Sequence, residues 1–99
     1  MSPTQRSLNH LRKLGYTVAI TEHWNPFAHI RQDLFGFIDL VALKDDEILA
    51  VQTTSSTNIF ARRKKIALNK NSLRWIEAGG RIQIHGWKKN LVKVESYPL

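Results

Sequence analysis

Ninety-nine residues suffice for one domain with one core, and at about 100 to 200 residues per domain a second has no room. A hydrophobic share of 42% and a charged share of 23% describe an ordinary globular chain, and the absence of cysteine excludes disulfides, Cys-ligated zinc, iron–sulfur clusters and thiol nucleophiles together. The net charge of +7 is segregated: residues 1–50 hold five basic and six acidic side chains and residues 51–99 ten and two, so the second half suits a polyanion and the first could supply acids to a metal.

Ser2-Pro3 has the form of an N-cap and first helical position, Leu8, Leu11 and Leu14 follow at helical spacing, and Gly15 supplies the stop. Tyr16 to Trp24 alternates with the two-residue period of a strand, which Asn25-Pro26 ends. After an irregular segment, Phe35 to Leu43 reads as a strand buried on both faces, Asp45-Asp46 as a tight turn, and Ile48 to Thr54 as its antiparallel partner at the centre of the sheet. The stretch Leu34 to Leu43 is about half the length of a membrane span and contains Asp39; with no signal-peptide pattern, it predicts an intracellular protein without a membrane partner. Ser55, Ser56 or Thr57 can cap a second helix carrying Ile59, Ile66, Leu73 and Ile76 on one face, with Asn69 and Asn71 as points where it can kink or split, and Gly79-Gly80 closes it. Arg81 to Trp87 returns as a strand and Leu91 to Tyr97 adds an edge. Trp24 and Trp75 read as core. The order α-β-β-β-α-β-(β) predicts an α/β fold, a mixed sheet with flanking helices.

Asp39 interrupts an apolar strand, where an ionised carboxylate is costly unless it faces a cation or hydrogen-bond donors. Gln52 and Thr54, two apart on the partner strand, leave the same face, so the hairpin is expected to bring all three together. A cluster of carboxylate, amide carbonyl and water is what Mg2+ accepts, and such an ion polarises a phosphate and activates water.

The run Gly36-Phe37-Ile38-Asp39 with Asp45-Asp46 and Ile48 through Gln52 to Ser55 resembles the core of the PD-(D/E)XK nuclease superfamily, nearest to archaeal-type Holliday junction resolvases and small phage nucleases. The resemblance spans roughly Leu8 to Trp87 and also draws on Arg31. It implies a single restriction-endonuclease-like domain over residues 1–99, a Mg2+ (or Mn2+) cofactor with no small-molecule cofactor, DNA as substrate, a homodimer, and a phage or prokaryotic setting. By position Asp39 matches the family's metal-binding Asp, Gln52 its second acid and Thr54 its lysine. Gln52 would ligate through a neutral carbonyl and Thr54 would position water without a charge. Glu22 is the expected accessory metal carboxylate, Asp33 a spare acid, and Lys64 or Lys65 a cation able to reach the water.

For contact with nucleic acid the sequence offers Arg31, the run Arg62-Arg63-Lys64-Lys65 and the turn Trp87-Lys88-Lys89, where an aromatic stands beside two cations. Members of the four-residue run cover a full helical turn and cannot all face one groove. The bland alternatives are a solvated basic helix, strand-end polar residues at 52 and 54, an exposed acid at 22 and a loop cap at 33. His23 and His29 lack further ligands for zinc, and His10 and His85 read as surface or partly buried side chains. The function expected is a metal-dependent DNA endonuclease, possible on branched DNA; the alternatives are a catalytically decayed DNA-binding module on the same fold and a basic adaptor for an acidic protein.

Overall fold

The structure, a computed structural model, describes every residue from Met1 to Leu99. Helix α1 spans Pro3–Lys13, with the Ser2 hydroxyl accepting the Gln5 amide at its start. Strand β1 (Thr17–Ile20) follows, then a short hairpin of β2 (His23–Asn25) and β3 (Ile30–Gln32), then β4 (Leu40–Lys44) and β5 (Glu47–Ser55). A 3-10 turn (Ser56–Asn58) leads into α2 (Ile59–Leu68) and α3 (Lys70–Glu77), and β6 (Arg81–Lys88) and β7 (Leu91–Tyr97) close the chain.

Five strands form one sheet in the order β1-β4-β5-β6-β7, while β2 and β3 form a separate two-stranded sheet. Only β5 and β6 are parallel, and the α2–α3 segment makes the crossover that parallel neighbours require. The mixed α/β sheet agrees with the expectation, and the element order agrees in outline, with the β2–β3 hairpin added ahead of β4 and the crossover helix divided in two. No helix is long and apolar enough to cross a membrane.

Alternation along β5 divides the core. Leu49 and Val51 meet Leu8, Leu11 and Leu40 under α1, whereas Ala50 meets Phe37, Ile59, Ile66, Ile82 and Ile84 under α2. Gly86 on β6 lets the 3-10 turn come close, since a Cβ there would press on the Ile59 side chain and lie 3.1 Å from the Ser56 backbone.

Four local expectations are corrected. The first strand ends at Ile20, because Thr21 turns to Asp39 and Ile38, its amide donating to the Asp39 carbonyl (2.8 Å) and its hydroxyl to the Ile38 carbonyl (2.8 Å). The strand expected from Phe35 starts only at Leu40; residues 34–38 form a turn with Phe35 at φ 54° and Gly36 at φ 83°. The second helix splits at Asn69, which shifts the register so that Ser72 is buried and Leu73 exposed. Trp24 is not core: it lies on the β2–β3 hairpin and is exposed, while Trp75 is half-buried and donates to the Arg81 carbonyl (2.9 Å).

Candidate metal centre

The C-terminal half of β5 emerges from the core as Gln52-Thr53-Thr54, all three buried. Leu40 pairs with Val51, so Asp39, just ahead of β4, comes beside Gln52, with its amide donating to the Val51 carbonyl at 2.9 Å. The turn at residues 34–38 aims it there. Asn69, at the helix break, holds that turn by donating to the Phe35 carbonyl (2.9 Å), with Asn71 adding a longer bond (3.4 Å). A Cβ on Gly36 would lie 2.9 Å from the Asn69 amide nitrogen, so glycine meets both the positive φ and the close approach.

Asp39 is 3% exposed and its Oδ2 is fully engaged. It accepts from Gln52 Nε2 (2.7 Å), the Thr53 amide (2.7 Å) and Thr53 Oγ1 (3.2 Å), and Thr4 on α1 backs Thr53 through a hydroxyl–hydroxyl bond of 2.9 Å. Oδ1 is left for the neighbouring acids. Glu22 from the β1–β2 link and Asp33 from the end of β3 place carboxylate oxygens so that those of all three acids lie within 4.8 Å of one another. Burial, a hydrogen bond with the Asp33 carboxyl and the charges of Asp33 and Glu22 push the Asp39 carboxyl up to about 8, against the opposing pull of the Thr53 amide. A carboxyl raised to that level keeps its proton near neutrality.

The acids line a cleft of about 490 Å³ with no hydrophobic residue in its wall. Its rim carries Arg31 from β3 and Arg62 and Lys65 from α2. Lys65 Nζ contacts Asp33 at 3.1 Å, and Arg62 Nε donates weakly to Thr54 Oγ1 at 3.4 Å. Gln52, 2% exposed, lines the same cleft, and its Oε1 is buried without a hydrogen-bond donor. An unsatisfied amide oxygen costs about 1–3 kcal/mol. Three clustered carboxylates, with an amide side chain hydrogen-bonded to one of them, present oxygen donors of the kind that hard divalent cations accept.

The residues expected at the site thus divide. Asp39, Gln52, Thr54, Glu22, Arg31, Arg62 and Lys65 line one cleft. Arg63 turns away, bonded to Glu95 (2.6 Å) and lying over the Tyr97 ring, and Lys64 lies over Phe60. Trp87 is committed to Ser7 through its indole N–H (2.8 Å), and with the exposed Lys88 and Lys89 it belongs to the α1 side, outside the cleft. Asp33 is a full member of the acid cluster. Thr53 and Thr4 carry structural weight that the sequence reading gave to neither, since the Thr53 contact runs partly through its backbone N–H, which no residue type announces.

His85 is fully buried rather than at the surface. Ser7 Oγ, which accepts from Trp87, contacts its Nδ1 at 2.9 Å, and its Nε2 contacts Gln83 Oε1 at 3.0 Å, so the assigned proton sits on Nε2. Burial and the adjacent His10 push it down to about 4. His10 packs edge-on to both His85 and Trp87.

Comparison of the chain with protein-family models and with curated proteins finds no match.

Proposed function

We propose that this chain is a metal-dependent DNA endonuclease that hydrolyses a phosphodiester at the Asp39 cleft. The observation that carries the reading is the cluster of three carboxylates in a cleft that Arg31, Arg62 and Lys65 also line, with the amide of Gln52 against Asp39 and its Oε1 buried without a partner. Asp39, Glu22, Asp33 and Gln52 would hold Mg2+ or Mn2+. When bound, the ion supplies Lewis-acid polarisation of the phosphate and lowers the pKa of water.

The remaining work falls to the chain itself. Arg31 and Arg62 neutralise phosphate oxygens on either side of the acids. Thr54, already accepting from Arg62, keeps its hydroxyl proton to donate to a water and so orients it. Lys65 is the lysine of α2 that reaches the cleft, where its ammonium, now on Asp33, would serve the substrate or the attacking water once the acids held a cation. Holding a cation would require Asp39 to release its proton, so ion affinity would rise with pH.

The test is cleavage of supercoiled, linear and branched DNA with Mg2+ or Mn2+. We expect metal-dependent cutting that Asp39→Ala and Glu22→Ala abolish; no cutting by wild type with either ion overturns the enzyme reading. One observation favours a second reading, a non-cleaving DNA-binding module: Lys65 on Asp33 and the proton on Asp39 already balance much of the acid charge without an ion. Such a module binds DNA equally well with and without chelator. One cleft makes one cut per event, so concerted cutting of both strands would call for a second copy of the chain, and sedimentation of the complex reads whether one is present.

A further inference from the structure

The β2–β3 hairpin is unexplained by the metal centre, although both of its ends are built into it. Glu22 directly precedes β2 and Asp33 directly follows β3, so the hairpin leaves and re-enters the protein at the acids. Between them, from His23 to Gln32, there is no carboxylate, and Arg31 adds a fixed positive charge at the cleft.

The tip is held rather than loose. Asn25 Oδ1 accepts the amides of Phe27 (2.9 Å) and Ala28 (3.1 Å), Pro26 fixes its own φ between them, and His29 completes the turn at φ 53°. Across the strands Trp24 pairs with Arg31, and its ring meets His29 edge-on with centroids 6.3 Å apart. This scaffold presents Phe27 at the apex, 93% exposed, with Trp24 and Ile30 also exposed behind it.

A convex apex bearing one ring is a poor protein interface, because a stable one buries about 800 Å² on each partner and two three-residue strands offer far less. It has the shape of a wedge that enters a base step. The local charge agrees, since an acid-free hairpin joined to Arg31 faces a polyanion without repulsion. We propose, resting on the DNA reading above, that Phe27 inserts between neighbouring bases of the strand whose backbone crosses the cleft. Phe27 lies five positions beyond Glu22, at most about 18 Å of extended chain, so the insertion falls within about five nucleotide steps of the acid cluster. A step already loosened by a bulge or mismatch costs less to open and is preferred.

The experiment uses the full chain in chelator, where nothing is cut, with duplexes carrying 2-aminopurine beside a single-base bulge or within a continuous helix. Wild type should raise 2-aminopurine emission on the bulged duplex and bind it about fivefold to a hundredfold more tightly than Phe27→Ala does, the range found for removing one aromatic from a base stack. Phe27→Trp should keep both properties. Phe27→Ala removes no charge, so its salt dependence should match that of wild type. Binding by wild type without a rise in emission, or an equal rise with Phe27→Ala, overturns the wedge and leaves the DNA reading intact. Loss of self-association in Phe27→Ala with unchanged emission identifies the tip as a protein contact and also overturns it. Wild type that binds no DNA overturns both readings, and matched thermal melts of the variants show that folding is not the cause.

Discussion

At position 52 the amide does two things that a carboxylate cannot do together: Nε2 donates to Asp39 Oδ2 at 2.7 Å, and Oε1 stays neutral beside three acids. Glutamate there would set a fourth carboxylate against Asp39 where a donor now stands. Like charges at that distance share protons rather than ionise together, so Gln52→Glu should raise the Asp39 pKa further. Because Glu22 already lies in the cluster, the added acid crowds the site instead of restoring a missing ligand. We expect Gln52→Glu to bind Mn2+ more weakly than wild type near pH 7, by about tenfold, and Glu22→Ala to lose measurable binding; isothermal titration with the ion alone reads both. Tighter binding by Gln52→Glu would show that Glu22 is not a ligand. Of the site's residues, Asp39, Gln52 and Thr54 were legible because strand alternation and a tight turn determine which side chains meet. Asp33 was legible only as a spare acid, since its place depends on the β2–β3 hairpin that returns the chain to the cleft.

Among the elements, α2 sorts the basic run that its sequence leaves undivided. Arg62 and Lys65, three apart, face the cleft, whereas Arg63 is held by Glu95 and Lys64 lies over Phe60. If each cleft-facing cation neutralises one phosphate, Arg62→Ala with Lys65→Ala should flatten the slope of log K against log salt by about 1.8, and Arg63→Ala with Lys64→Ala by much less. Equal flattening by the two pairs would place the DNA elsewhere on the helix. The helix break at Asn69 has a similar consequence at a distance. Its side chain caps α3 through the Asn71 amide (2.8 Å) and clamps the Phe35 carbonyl that orients the turn into Asp39. Asn69→Ala should cost about 1–2 kcal/mol in urea unfolding and weaken metal binding besides. Periodicity made the helices and the central hairpin legible, and it identified Asn69 as a possible break. It could not reveal that a clamp follows from the break, because the 34–38 turn is apolar in composition and reads as strand. The β2–β3 hairpin was hidden for a related reason: its side chains are largely exposed and leave no alternating buried pattern.

Over the whole molecule two buried groups, Asp39 just ahead of β4 and His85 on β6 with β5 between them, pull stability in opposite directions with pH. Asp39 is raised from 3.8 to about 8, chiefly by burial, so its contribution is fully present below about pH 3.8 and is lost as pH rises through about 8. His85 is lowered from 6.5 to about 4, again chiefly by burial, so its contribution is present above about pH 6.5 and is lost as pH falls through about 4. Between about pH 4 and 6.5 the native state binds one proton that the unfolded state lacks, and the unfolded state binds one that the native state lacks, so these slopes nearly cancel. From 6.5 to 8, of these two groups, Asp39 alone still titrates between the two states. The metal-free protein should therefore be nearly flat on the acid side and lose on the order of 1–2 kcal/mol toward pH 8, since one full proton difference is worth about 1.4 kcal/mol per pH unit. Asp39→Asn should remove the alkaline loss and uncover the acid loss that belongs to His85. If the proposed centre binds Mn2+, millimolar ion should also remove the alkaline loss in wild type, because it would take the proton's place among Glu22, Asp33 and Asp39 and would stabilise only the folded chain. Urea midpoints measured from pH 4 to 9, with chelator and with Mn2+, check all three statements. An alkaline loss that persists in Asp39→Asn would assign it to another group and remove the acid cluster as its source.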